Sequence, residues 1–208
     1  MLQFITNTES AVRVADQVKG VIAGGCRWVQ IRMKDASDEE ISGVIEEIKP
    51  LCLETETFLI LDDRVELAKT LDVGGVHLGK EDMPPSKARM LLGPAAVIGV
   101  TVNTFDDILA VRSLDVDYLG MGPYAATTTK KRLAPILGIE GIRKLCKGMT
   151  EQEIELARVA VGGIGIDDVT PLMEAGANGV AVSGAIANAA DIEKATRDFL
   201  EKLKPFMK

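Results

Sequence analysis

Gln30, Arg32 and Lys34 occupy every second position of a run that otherwise reads as buried strand, Arg27-Trp28-Val29-Gln30-Ile31-Arg32-Met33-Lys34. Side chains of a strand alternate faces, so these three share one face and Val29, Ile31 and Met33 share the other. The apolar face suits packing against helices. The polar face places two cations and an amide where a sheet usually buries hydrocarbon. Unpaired buried charge is costly, so the pattern calls for an anionic ligand.

Carboxylates stand close by in the sequence. Asp62 and Asp63 close the apolar run Phe58-Leu59-Ile60-Leu61, and Asp82 belongs to the next unit. Two carboxylates on neighbouring loops, with water and phosphate oxygens, make a typical Mg2+ donor set. The competing reading for either Asp is a helix N-cap. Two glycine turns, Gly162-Gly163 and Ser183-Gly184, precede helical segments. Such turns let backbone N–H groups approach a phosphate, and they also serve as ordinary turns. Lys130 follows Thr127, Thr128 and Thr129, a set suited to anion capture, whereas Lys131 and Arg132 read as a solvated basic segment. The single histidine, His77, invites an acid/base role but is read as a satisfied structural residue. No nucleophile elbow, zinc site or complete dinucleotide fingerprint is present. Cations, carboxylates and phosphate-type turns without an obvious base favour a reaction in which a diphosphate leaves and its charge is stabilised.

These residues need elements to hold them. Strand-like runs fall at 2–6, 28–32, 57–61, 74–78, 96–100, 117–121, 158–161 and 179–182. Amphipathic segments at 38–53, 65–71, 85–92, 105–114, 139–146 and 167–175 alternate with them, and 191–207 closes the chain. Eight strand-like runs in such alternation predict an α/β fold, a single (β/α)8 TIM barrel over residues 1–208. Active groups of such a barrel collect at the C-terminal ends of its strands, where all the residues above fall. Ser37-Asp38-Glu39-Glu40 reads as a capped helix start, and Thr150-Glu151-Gln152-Glu153 as a capping box before the seventh strand. The irregular stretch 122–138 reads as a lid.

Composition narrows the setting. The chain has 208 residues, 47% of them hydrophobic, and a net charge of −7. That balance argues against nucleic acid or an anionic membrane as partner. Cys26, Cys52 and Cys146 lack metal-type spacing and read as reduced, buried thiols, with the cytoplasm as the expected compartment. There is no signal-peptide pattern and no apolar run of membrane-spanning length. Oligomeric state is not readable.

In order and spacing, the chain resembles the thiamine phosphate synthase family over nearly its whole length. The resemblance rests on Gln30-Ile31-Arg32-Met33-Lys34, Asp62-Asp63-Arg64, Gly75-Val76-His77-Leu78-Gly79-Lys80-Glu81-Asp82, Gly99-Val100-Thr101, Asp117–Pro123, Thr127–Lys130, Val161-Gly162-Gly163-Ile164 and Ser183-Gly184-Ala185-Ile186. It implies a Mg2+-dependent transferase that joins 4-amino-5-hydroxymethyl-2-methylpyrimidine diphosphate to a thiazole phosphate, releasing pyrophosphate. Carried over by position, it puts Gln30, Arg32, Lys34, Asp62, Thr101 and Lys130 on the pyrimidine diphosphate, with Arg32, Lys34 and Lys130 as the catalytic cations. It puts Asp63 and Asp82 on Mg2+, and Thr127, Thr129, Gly163, Ser183 and Gly184 on the thiazole phosphate.

Three positions depart from the family pattern, which has Asn at Asp62, Ser at Thr101 and Ser at Gly184. A carboxylate repels a phosphate unless a cation intervenes, so Asp62 reads either as a metal ligand or as tolerated. Rival readings are a thiazole tautomerase, which needs a histidine where this chain has Asn103, a phosphosugar isomerase or epimerase, and a non-catalytic thiamine phosphate-binding module.

Overall fold

Parallel pairing runs from strand to strand around a complete circle in the computed structural model, which describes residues 1–126 and 135–207. The strands are β1 (Leu2–Ile5), β2 (Trp28–Ile31), β3 (Phe58–Asp62), β4 (Gly75–Leu78), β5 (Val97–Val102), β6 (Tyr118–Met121), β7 (Ala157–Val161) and β8 (Gly179–Val182). Each pairs with its sequence neighbours, and β1 closes the ring against β8 through Leu2 with Val180 and Phe4 with Val182. The helices between them are α1 (Val14–Ala23), α2 (Asp38–Glu54), α3 (Val65–Thr70), α4 (Pro85–Leu92), α5 (Phe105–Val111), α6 (Gly138–Glu151), α7 (Val169–Glu174), α8 (Gly184–Ala187) and α9 (Ile192–Leu203). The expected TIM barrel is therefore the observed fold.

Strand alternation sorts the core into two layers. Outward residues such as Phe4, Val29, Ile31, Leu61, Val76 and Val100 are buried against the helices. Inward residues form a smaller cluster around Ile60, Tyr118, Val159 and Ala181. The inner layer is short of hydrocarbon because Gln3, Gln30, His77 and Thr101 share it, and of these Thr101 lines the cleft described below.

Two boundaries differ from expectation. β2 stops at Ile31, so Arg32 and Lys34 lie just beyond it and not within it. The Thr6 hydroxyl accepts from Arg32 N at 2.8 Å and donates to Arg32 O at 3.3 Å, replacing the ladder partners a longer strand would need. Thr150 does not start a helix. It lies in the last turn of α6, where its hydroxyl donates to Cys146 O. Ser37, by contrast, forms the expected capping box with Glu40. No helix of the described residues is long and apolar enough to cross a membrane. The three cysteines are buried and free.

Candidate functional site

At the C-terminal rim of the barrel, the end of β3 and the segment after β2 bring four charges together. Lys34 Nζ lies 3.1 Å from Asp62 Oδ2 and pairs more closely with Asp63 Oδ2. Arg32 Nε lies 3.4 Å from the same Asp62 oxygen. Arg64 adds a third cation, 3.3 Å from Asp63 Oδ1 and 3.1 Å from Asp38 Oδ1. The polar face anticipated for Gln30, Arg32 and Lys34 is thus real, and its anionic partners within the chain are Asp62 and Asp63.

The electrostatics of the pair are unbalanced. Burial raises the Asp63 carboxyl above its ordinary pKa, Lys34 opposes this, and Asp62 and Asp82 add to the rise. Burial works to lower the Lys34 ammonium, but Asp62 and Asp63 outweigh it and hold it above its ordinary value. Asp63 also sits at φ 56°, a backbone region that non-glycine residues seldom occupy. The site therefore sets three cations, Arg32, Lys34 and Arg64, against Asp62 and Asp63 in a partly buried cluster.

Asp82 lies in the turn after β4, where Oδ2 accepts from Gly79 N at 2.6 Å. That bond closes the turn and is not the helix N-cap weighed as its alternative, since Pro84 stands at the N-cap of α4. Oδ1 has no hydrogen bond or ion pair among the described residues. Among those residues no three His, Cys, Asp or Glu side chains could hold a metal by themselves. Asp63 and Asp82 could offer two oxygen ligands, with water and a bound anion supplying the remainder, which suits Mg2+ and not Zn2+.

Beside the charges opens a cleft of about 480 Å³, lined by Asn7, Arg32, Thr101, Gly163, Ser183 and Gly184 among others. Gly163 has φ 66°, and a Cβ there would approach Ala126 O to 2.5 Å, so only glycine lets the turn run so close. Among the described residues, the buried Ser183 Oγ has no hydrogen-bond partner. An orphaned hydroxyl on a cleft wall is suited to a polar ligand.

The structure thus gathers Gln30, Arg32, Lys34, Asp62 and Asp63 into one cluster. It places Thr101, Gly163, Ser183 and Gly184 on the cleft that Arg32 also lines. Thr101 lies inside β5, one residue before its end, and not after the strand. His77 is engaged by both ring nitrogens, as the structural reading expected. Thr127, Thr128, Thr129, Lys130, Lys131 and Arg132, with most of the lid reading, lie outside the described residues.

Sequence reasoning missed Gln3 and Tyr118. Gln3 Nε2 donates to Gln30 Oε1 at 3.2 Å and to the Tyr118 hydroxyl at 3.0 Å. The available signal was a polar residue between the apolar Leu2 and Phe4 of the first strand.

Known proteins resemble this chain in sequence and in fold. A family model described as thiamine monophosphate synthase matches residues 2–186. The thiamine-phosphate synthase of Bacteroides fragilis is 48% identical over 199 residues, covering 96% of this chain and 98% of that protein. The thiamine-phosphate synthase of Bacteroides thetaiotaomicron is 49% identical over 199 residues, covering 96% and 95%. The solved thiamine phosphate pyrophosphorylase of Pyrococcus furiosus superposes with a TM-score of 0.87 at 29% identity, covering 100% of this chain and 96% of that one.

Proposed function

The chain belongs to the thiamine monophosphate synthase family, enzymes of thiamine biosynthesis, and from that premise we propose the reaction it carries out. It condenses 4-amino-5-hydroxymethyl-2-methylpyrimidine diphosphate with a thiazole phosphate, giving thiamine phosphate and pyrophosphate. One observation carries the reading: Arg32 and Lys34 converge on Asp62 and Asp63 at the edge of a cleft whose other wall is Gly163, Ser183 and Gly184. One wall suits a diphosphate and its counter-ion, the other a single phosphate.

Mg2+ held by Asp63 and Asp82 would neutralise charge on the diphosphate oxygens. The remaining work falls to the chain's own residues. Arg32 and Lys34, with Lys130 from outside the described residues, stabilise the negative charge that grows as the pyrophosphate departs. Lys34 exchanges part of its pairing with Asp62 and Asp63 for the incoming phosphate oxygens. Gln30, fixed by Gln3 and Asp62, and Thr101 orient the pyrimidine diphosphate. Gly163, Ser183 and Gly184, with Thr127 and Thr129, hold the thiazole phosphate so that the ring nitrogen faces the methylene carbon. Bond breaking leads, the aminopyrimidine spreads the resulting positive charge, and no general base is required. Positioning of two bound partners supplies the rest of the rate. The reading treats residues 1–208 as one barrel domain, in a cytoplasmic setting that fits three free thiols.

The tautomerase reading is disfavoured by a specific contact. Asn103 donates from its side chain to Gly122 O and from its backbone to Asp107 Oδ2, so it is committed to the fold. The decisive experiment incubates the protein with both substrates, with Mg2+ or with EDTA, and follows pyrophosphate and thiamine phosphate. Both products are expected with Mg2+, neither with EDTA, and activity should return when Mg2+ is restored. Intact pyrimidine diphosphate in the presence of Mg2+ would refute the assignment, and tight binding without turnover would identify a non-catalytic module.

A further inference from the structure

A continuous line of hydrogen-bonded side chains crosses the barrel interior and links Asp62 of the charge cluster to Thr101 on the cleft. Gln30 Nε2 donates to Asp62 Oδ1 at 2.7 Å. Gln3 Nε2 reaches Gln30 Oε1 at 3.2 Å and the Tyr118 hydroxyl at 3.0 Å. The Tyr118 oxygen lies 2.9 Å from His77 Nδ1, and His77 Nε2 lies 2.9 Å from Thr101 Oγ1. Gln3, Gln30 and Tyr118 are each 2% exposed, so water does not compete for these groups. The barrel makes room for the line: a Cβ at Gly99 would meet the Tyr118 ring at 2.0 Å, and one at Gly120 would meet His77 Cε1 at 2.8 Å.

We infer that Asp62 gives this line a single direction, which fixes His77 as the neutral Nε2–H tautomer and makes the Thr101 hydroxyl a donor toward the cleft. The argument follows the hydrogens. Asp62, ion-paired through Oδ2 with Lys34 and Arg32, can only accept. Gln30 must therefore turn its NH2 group to Asp62 and its carbonyl to Gln3. Gln3 must answer with its own NH2 group, whose two hydrogens go to Gln30 and to the Tyr118 oxygen. Tyr118 accepts from Gln3, so its O–H is left to donate to His77 Nδ1. Burial raises the phenol far above its ordinary pKa, so that hydrogen is retained. With Nδ1 accepting, His77 carries its hydrogen on Nε2 and donates to Thr101 Oγ1. Thr101 then has its own hydrogen to give, and it lines the cleft. His77 is a positioning residue in this scheme, because it acts through Thr101.

Identification of the group that receives the Thr101 hydrogen, an acceptor on the pyrimidine diphosphate, rests on the function proposed above. The direction of the line does not. The two are tested separately. Since the chain has a single histidine, nitrogen NMR of 15N-histidine-labelled protein reads its tautomer directly. The wild type should show a protonated Nε2 and a bare, hydrogen-bonded Nδ1. In Asp62→Asn, Arg32 and Lys34 hold the new amide oxygen and turn its nitrogen to Gln30. Gln30 and Gln3 then flip, and His77 should switch to the Nδ1–H tautomer. An Nδ1–H or doubly protonated ring in the wild type, or an unchanged tautomer in Asp62→Asn, would overturn the direction.

The functional arm compares Thr101→Ser with Thr101→Val. Serine keeps the donor and should stay within about threefold of wild-type turnover, whereas valine should lose about tenfold or more, the effect of removing a hydrogen bond to a charged or developing-charge acceptor. Equal turnover in the valine variant would remove the donor role. A wild type that makes no thiamine phosphate would refute the proposed function while the nitrogen spectra still decide the direction.

Discussion

Lys34 is shared between Asp62 and Asp63, and that sharing sets what each substitution does. Lys34→Ala would leave two neighbouring carboxylates facing each other and the proposed diphosphate. Asp63→Ala would remove one proposed metal ligand and free Lys34 to pair with Asp62 alone. Either change should cut turnover at least about a hundredfold, the scale of losing one preorganised electrostatic contact. Circular dichroism should show the fold retained, because the cluster sits at the rim and not in the apolar layers. Pyrophosphate release near the wild-type rate would place the altered residue outside the chemistry. Gln30, Arg32 and Lys34 were legible as a group because alternation isolates three polar side chains in an apolar run. Their partners were harder to assign. Nothing in the sequence says that Asp62 pairs with Arg32 and Lys34 while also accepting from Gln30, since that depends on the register of β2 against β3.

Element boundaries show where local pattern suffices and where packing overrides it. Ser37 was readable because its cap and the acids after it act within one turn. Ser37→Ala should lower stability by about 1 kcal/mol, seen as an earlier urea midpoint with unchanged slope. The similar pattern at Thr150 misled because Met149 continues the buried stripe of Ile142, Leu145 and Cys146 along α6. That one further apolar position, three residues on, keeps the helix going, and the threonine is absorbed into its end. The turn after β7 offers a sharper test. Gly163→Ala places a Cβ against Ala126 O in a backbone region that disfavours side chains. The KM for the thiazole phosphate should rise by about tenfold or more, while the KM for the pyrimidine diphosphate changes little. Equal changes in both would show that the turn serves the whole rim and not one phosphate.

At the scale of the molecule, the alternation of strand and helix made the barrel legible, and length limited it to one ring. The polar line through its middle was not legible, since Gln3 and Tyr118 are 115 residues apart and meet only when the ring has closed. Closure depends on β8, which hydrogen-bonds to both β7 and β1. A chain ending at residue 178 should lose cooperative unfolding, measured by denaturant titration; a sharp transition would show that seven strands suffice. The seam also has a consequence for synthesis. The first strand leaves the ribosome long before the last, and its outer edge must wait unpaired for nearly the entire length of translation. Ser183 and Gly184 arrive with that final strand, so the nascent chain gains this wall of the cleft in the same event that completes the ring.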